Sequence, residues 1–242
     1  MLIPLGILVG LYILSISPIR ATLLSLFAIV LTVSDPHEVP FAGQWSAPLD
    51  VVGAALYANL HKLTKIPILR FSGLEAAILL LIGLIFYRKA TKQQIDEKAL
   101  RVPKALQAAV LLSFWMLILS EIYGMMNGGD FKESLFQFRA MAMAMLVCYL
   151  GMYALRGVDD IRIVNKIIIY TAIYRITMGA YFYYIICPQL GYQPPHVTTH
   201  TDTVLFVLAI VAVVAHWWEA PGPRRLFEMA LVSGYALWGI VL

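Results

Sequence analysis

Five ionisable residues, Glu75, Glu121, Arg139, Arg175 and Asp202, stand in stretches of sequence that are otherwise apolar. A charge inside a bilayer costs about 2.5–3.5 kcal/mol on insertion scales, so such groups face either a partner or a cavity. Two kinds of chemistry fit them. As interhelical ion pairs they fix packing, Arg175 with Glu75 or Glu121 and Arg139 with Asp130 or Glu133, because a buried charge needs compensation whatever the protein does. As the lining of a polar cavity open to the outer side, Arg139, Arg175, Glu75 and Glu121 bind an anionic substrate such as the phosphates of a lipid carrier. Arginine suits that task, since its planar fork donates two parallel hydrogen bonds to phosphate oxygens. Tyr170, Tyr174, Tyr181, Tyr183 and Tyr184 surround Arg175 in sequence. Tyrosine is common at membrane interfaces, and it also lines sites where sugars stack on rings.

The segment Pro194 to Asp202 supplies the other reactive groups. His200, oriented by Asp202, could act as a general base, and His196, His200 and Asp202 could approach one metal ion. Three residues without a recognised ligand spacing make a weak metal signal, so no metal is expected. Thr199 or Thr201 could equally be the N-cap of the following helix, with Asp202 favoured by its positive end. His216 precedes Trp217 and Trp218, where a helix would end at headgroup level. Other apolar segments hold no histidine to serve as a second axial ligand, so haem is not expected. Glycine-rich phosphate loops, serine elbows and paired cysteine motifs are missing from the sequence, and no cofactor is expected. Cys148 and Cys187 are too few for a disulfide framework and read as packing residues.

These groups sit on a chain that is 61% apolar and 13% charged, with a mean hydropathy of +0.80. That is more apolar surface than a soluble domain can bury. A hydrocarbon core roughly 30 Å thick needs about 20 helical residues. The sequence predicts eight such segments, at 2–17, 20–34, 68–87, 105–124, 135–155, 162–186, 203–218 and 226–242. Each must be helical, because lipid offers no partner for backbone amides. The first two read as a hairpin turned at Ser17-Pro18-Ile19-Arg20, and the first has neither the basic start nor the cleavage site of a signal peptide. Between Pro48 and Pro67, LDVVGAALYANLHKL is too short and too polar at its ends to span and predicts a helix lying in the interface. The expected fold is therefore all-α, a polytopic transmembrane bundle of about eight spans plus one interfacial helix, in a single domain over 1–242.

Sidedness follows from the basic residues. Arg88, Lys89, Lys92, Lys98, Arg101 and Lys104 crowd one connection, whereas Cys187 to Thr201 contains no Lys or Arg. Lys and Arg beside spans stay on the cytoplasmic side, so the first loop is inside and the second outside. Twelve of the 18 basic residues then fall on the cytoplasmic side, with both termini outside if all eight spans are real. The formal charge of +4 and pI near 9.0 are accounted for by these loops. Nucleic acid is not an expected partner, because no aromatic and basic stripe lies outside the spans.

The stretch FKESLFQFRAMAMAMLVCYLGMYALRGVDDIRIVNKIIIYTAIYRI resembles part of the bacterial O-antigen ligase and polysaccharide polymerase superfamily. The features are Phe138-Arg139 on the outer side of a span, Tyr149 to Tyr153 at its exit, a charged turn from Arg156 to Arg162, and later THTDTVLFVLAIVAVVA. The resemblance covers roughly residues 70–242. It implies a bacterial inner-membrane protein that transfers glycan from a polyprenyl-pyrophosphate carrier to a sugar hydroxyl on the outer face, without a metal. It further implies that Arg139 or Arg175 holds the pyrophosphate and that His200 activates the acceptor. Family members have ten or more spans and a large later outer loop, so the chain would be the N-terminal portion of a longer protein or a divergent member. Two other classes use the same buried charges: a small-molecule transporter, which would be marked by inverted repeats that the sequence does not display, and a non-catalytic membrane scaffold.

Overall fold

The computed structural model describes residues 18–33, 48–61, 71–91, 102–191, 194 and 197–242. Among them the fold is all-helical, with one isolated bridge between Asn59 and Ser72. The segment expected at 2–17, the basic residues Lys92, Lys98 and Arg101, and His196 lie outside the described residues. Eight helices follow in order: α1 (Ile19–Thr32), α2 (Asp50–Tyr57), α3 (Gly73–Ala90), α4 (Lys104–Met126), α5 (Phe131–Ala154), α6 (Val158–Tyr181), α7 (His200–Glu219) and α8 (Pro223–Val241). Seven of them lie on segments where the sequence predicts a helix, and α2 lies within the stretch between Pro48 and Pro67. By length and composition, α4 and α7 are long and apolar enough to cross a membrane, and α1 and Phe138–Ala154 are shorter apolar helices. Charges gathered at the ends of α3, α6 and α8 make those helices less uniformly apolar.

Backbone contacts divide the chain into two compact units, Met1–Leu23 with Ala58–Gly157, and Leu24–Tyr57 with Val158–Leu242. In the first, α5 packs against both α3 and α4. Ile78, Leu81 and Ile85 form the buried stripe of α3, at the spacing that places them on one face. The α4–α5 turn closes through Gly128, whose φ of 84° suits glycine, and through the Gly129 N–H, which donates to Gly124 O at 3.0 Å. Lys89, at the end of α3, approaches Tyr149 Oη at 3.5 Å and lies 4.8 Å from the Tyr153 ring centroid, a cation–π contact.

In the second unit α6, α7 and α8 pack on one another. Their core is Ala172 and Ile176 from α6, Leu205, Phe206 and Ala209 from α7, and Ala236 from α8, with Leu31 of α1 against it. The helices approach closely because Gly239 faces Ile176: a Cβ built there would lie 2.6 Å from Ile176 Cγ1 and 3.1 Å from Phe206 Cε2. Small residues at such crossings are how helices gain contact where lipid supplies no hydrophobic drive. The Tyr57 hydroxyl donates to Val30 O at 2.9 Å, tying α2 to α1.

Beyond Tyr181 the α6 helix continues as a π turn, Phe182–Ile186, and one further turn, Cys187–Gln189. Pro188 has no N–H and its ring clashes with the carbonyl four residues back in a regular helix, so the wider turn relieves it. Cys187 is buried and Cys148 exposed, and neither is in a disulfide.

Candidate functional site

Two helices open with the same device. Ser72 caps α3: its hydroxyl accepts from the Glu75 N–H at 3.2 Å, and Glu75 Oε2 accepts from the Ser72 N–H at 2.7 Å. Thr199 caps α7: its hydroxyl accepts from the Asp202 N–H at 3.2 Å, and Asp202 Oδ2 accepts from the Thr199 N–H at 3.0 Å. Each is a capping box, which satisfies two orphan donors at once and sets a carboxylate at the positive end of the helix. Of the two expected caps for α7, Thr199 is the one used. Glu75 lies in the first turn of α3, because the helix begins at Gly73 and not at the expected position 68.

Each carboxylate also takes an arginine from a neighbouring helix. Glu75 is gripped bidentately by Nε and Nη2 of Arg139 in α5. Asp202 Oδ1 lies 2.5 Å from Nη2 of Arg175 in α6, with both side chains largely buried, at 11% and 13% exposure. Glu75 for Arg139 and Asp202 for Arg175 are not among the partners expected from the sequence; the side chain of Glu133, one of those expected for Arg139, lies outside the described residues. A capping carboxylate held by its own helix N-terminus is already fixed in orientation, so the arginine meets a rigid partner.

Glu121 accepts a hydrogen bond from the Ser134 hydroxyl at 2.6 Å, joining α4 to α5. His200 is exposed, at the first position of α7. The described partners of Asp202 are Thr199 and Arg175, so its carboxylate is engaged elsewhere than on His200. Among the described residues no group of His, Cys, Asp and Glu could hold a metal ion.

Beyond the α6 end of this site the sequence signalled tyrosines but missed their partners on α8. Tyr183 and Tyr184 sit on the π turn with ring centroids 5.0 Å apart, edge to face. Tyr184 stacks on Trp238 at 6.5 Å, and Tyr235 lies 5.5 Å from Trp238. The hydroxyls of Tyr235 and Thr177 are 3.0 Å apart. The result is an aromatic ladder, with Tyr184 58% and Trp238 38% exposed. The ends of α6, α7 and α8 meet here, where a Cβ on Gly179 would be 3.5–3.9 Å from Leu242, Val197 and Thr198, and where Val197 N–H donates to Leu242 O at 3.1 Å. Ser-x-x-Glu at 72–75 and Thr-x-x-Asp at 199–202 could have revealed both capping boxes, whereas nothing local to Tyr235 or Trp238 marks them as partners of the π turn.

The chain matches no protein-family model, and no curated protein and no solved structure is significantly similar to it.

Proposed function

We propose that the chain is a multi-pass bacterial inner-membrane protein of about eight spans and one interfacial helix, serving envelope polysaccharide assembly at the outer face. The membrane part of this reading is carried by α4, in which no residue is buried. Leu111, Leu112, Trp115, Met116 and Leu119 are each 54–63% exposed. At about 25 cal/mol per Å² of apolar surface, water would oppose such a helix strongly, while a bilayer accepts it. The basic residues set α3 and α7 with their capped ends outward.

The glycan part is supported by the aromatic ladder at that outer end beside the Arg175–Asp202 pair, and by the resemblance of residues 70–242 to glycan ligases and polymerases. Rings of this kind stack on sugar faces, and guanidinium groups meet pyrophosphate. In this reading either Arg175, its guanidinium plane held by Asp202 in the second unit, or Arg139, held by Glu75 in the first, supplies the positive charge toward a polyprenyl-pyrophosphate-linked glycan. The acceptor hydroxyl oxygen attacks the anomeric carbon, the bond to pyrophosphate breaks, and exposed His200 takes the hydroxyl proton. Glu121 contributes through Ser134 to the α4–α5 outer end.

The engagement of both arginines by capping carboxylates favours a second reading, a non-catalytic membrane scaffold in which the pairs serve packing alone. One experiment separates them. Deletion of the gene, complemented with wild type, Trp238→Ala or His200→Ala, is scored by the length and attachment of surface polysaccharide. The glycan reading expects a changed profile on deletion that neither variant restores at normal abundance. An unchanged profile on deletion would overturn it, and full restoration by both variants would favour the scaffold.

A further inference from the structure

At the opposite end of the second unit, a cavity of about 430 Å³ opens between α6, α7 and α8. Arg162, Lys166 and Arg225 line it together with Asn165, His216 and Glu219, which sets three cations against one carboxylate. Arg225 is fixed at its mouth, because its Nη1 donates to His216 O at 3.2 Å and Ala220 O at 3.3 Å, the carbonyls at the end of α7. Those bonds use one nitrogen of a five-donor group and leave the others for a ligand. Arg162 bridges Asp159 at 3.2 Å and Glu219 at 3.7 Å, so the walls carry both their own counter-charge and an excess of positive charge. Lys166 is exposed on the same face of α6 as Arg162.

We infer that this cavity binds the phosphate of an anionic phospholipid headgroup from the cytoplasmic leaflet. The volume falls within the range of small-molecule sites. Cationic pockets between helices at a cytoplasmic surface attract anionic headgroups, at about 1 kcal/mol per basic residue. Trp217 and Trp218 adjoin the cavity in sequence, and Trp218 is 78% exposed, as expected of an anchor at headgroup depth. Next round α6 from Arg162 and Lys166, Ile163 and Tyr170 are 37% and 69% exposed, an apolar flank for the acyl chains. The site uses none of the residues assigned to glycan transfer and shares with that proposal only the membrane placement.

The test is a lipid titration of the purified full chain in neutral detergent, read by native mass spectrometry. Phosphatidylglycerol, phosphatidylcholine and inorganic phosphate serve as the three ligands. The expected result is retention of phosphatidylglycerol over phosphatidylcholine, weakened about fivefold by Lys166→Gln, as one lost cation implies. Glu219→Gln, which removes the competing carboxylate, is expected to strengthen retention. Equal retention of the two lipids, or no change in the Lys166→Gln, Arg162→Gln double variant, would overturn the proposal. Competition by millimolar inorganic phosphate as effective as that by the lipid would overturn the lipid assignment in favour of a soluble anion. Alkaline carbonate extraction of membranes reads the membrane placement separately, since release of the chain would refute that placement whatever the titration gives.

Discussion

Asp202 serves two elements at once: its Oδ2 closes the Thr199 capping box of α7, while its Oδ1 lies 2.5 Å from Arg175 Nη2 of α6. The start of one helix is therefore locked to the body of another through a single carboxylate. Glu75 repeats the arrangement between α3 and α5, with Ser72 as the cap and Arg139 as the cation.

Removing one member of a buried pair costs about 3–5 kcal/mol, whereas replacing both can be nearly neutral. Arg175→Ala is accordingly expected to accumulate poorly and to unfold at lower temperature in detergent, and Arg175→Met combined with Asp202→Asn is expected to recover much of the loss. A double-mutant cycle by thermal unfolding checks this. Additive effects would show that the two side chains do not interact.

At the other pair, Arg139→Lys keeps the charge but loses the two-pronged grip on Glu75. Its stability should fall between those of wild type and Arg139→Ala. Glu75→Gln retains an oxygen for the Ser72 N–H and should cost less than Glu75→Ala, which keeps the Ser72 cap but loses that return hydrogen bond as well, about 1 kcal/mol more. Urea or thermal unfolding of the four variants gives the ranking, and a lysine equal to wild type would remove the fork from the argument.

Gly239→Ala pushes a methyl against Ile176 and Phe206, an overpacking worth about 1–3 kcal/mol. Gly234, on the same helix, has open space around it, so Gly234→Ala should leave stability unchanged or raise it by up to about 1 kcal/mol. Opposite behaviour of the two alanines in one thermal assay is the expected outcome.

Sidedness is checked by single cysteines in a Cys148→Ser, Cys187→Ala background. Gln189→Cys and Ala90→Cys both fall at exposed positions at helix ends. An impermeant thiol reagent applied to intact cells is expected to label the first and not the second. The reverse pattern would invert every side assigned here.

The sequence alone determined the helical class and the approximate position of each described helix, because long apolar runs bounded by proline, glycine and charge favour the one structure that satisfies every backbone group within its own segment. α1 and α3 to α8 fall on the predicted segments, and α2 falls within the predicted interfacial stretch. It also isolated the charged residues that matter, since an ionisable group in an apolar run is conspicuous whatever its partner. Tertiary structure decided which of them meet. Arg139 and Glu75 are far apart in the chain, and their pairing depends on how α5 packs on α3, which no local period encodes. The same holds for Trp238 beneath Tyr184 and for the cations gathered between α6, α7 and α8. Periodicity reports how one helix divides into faces, but the choice of neighbour for each face rests on close approaches such as Gly239 against Ile176, set jointly by residues far apart in sequence.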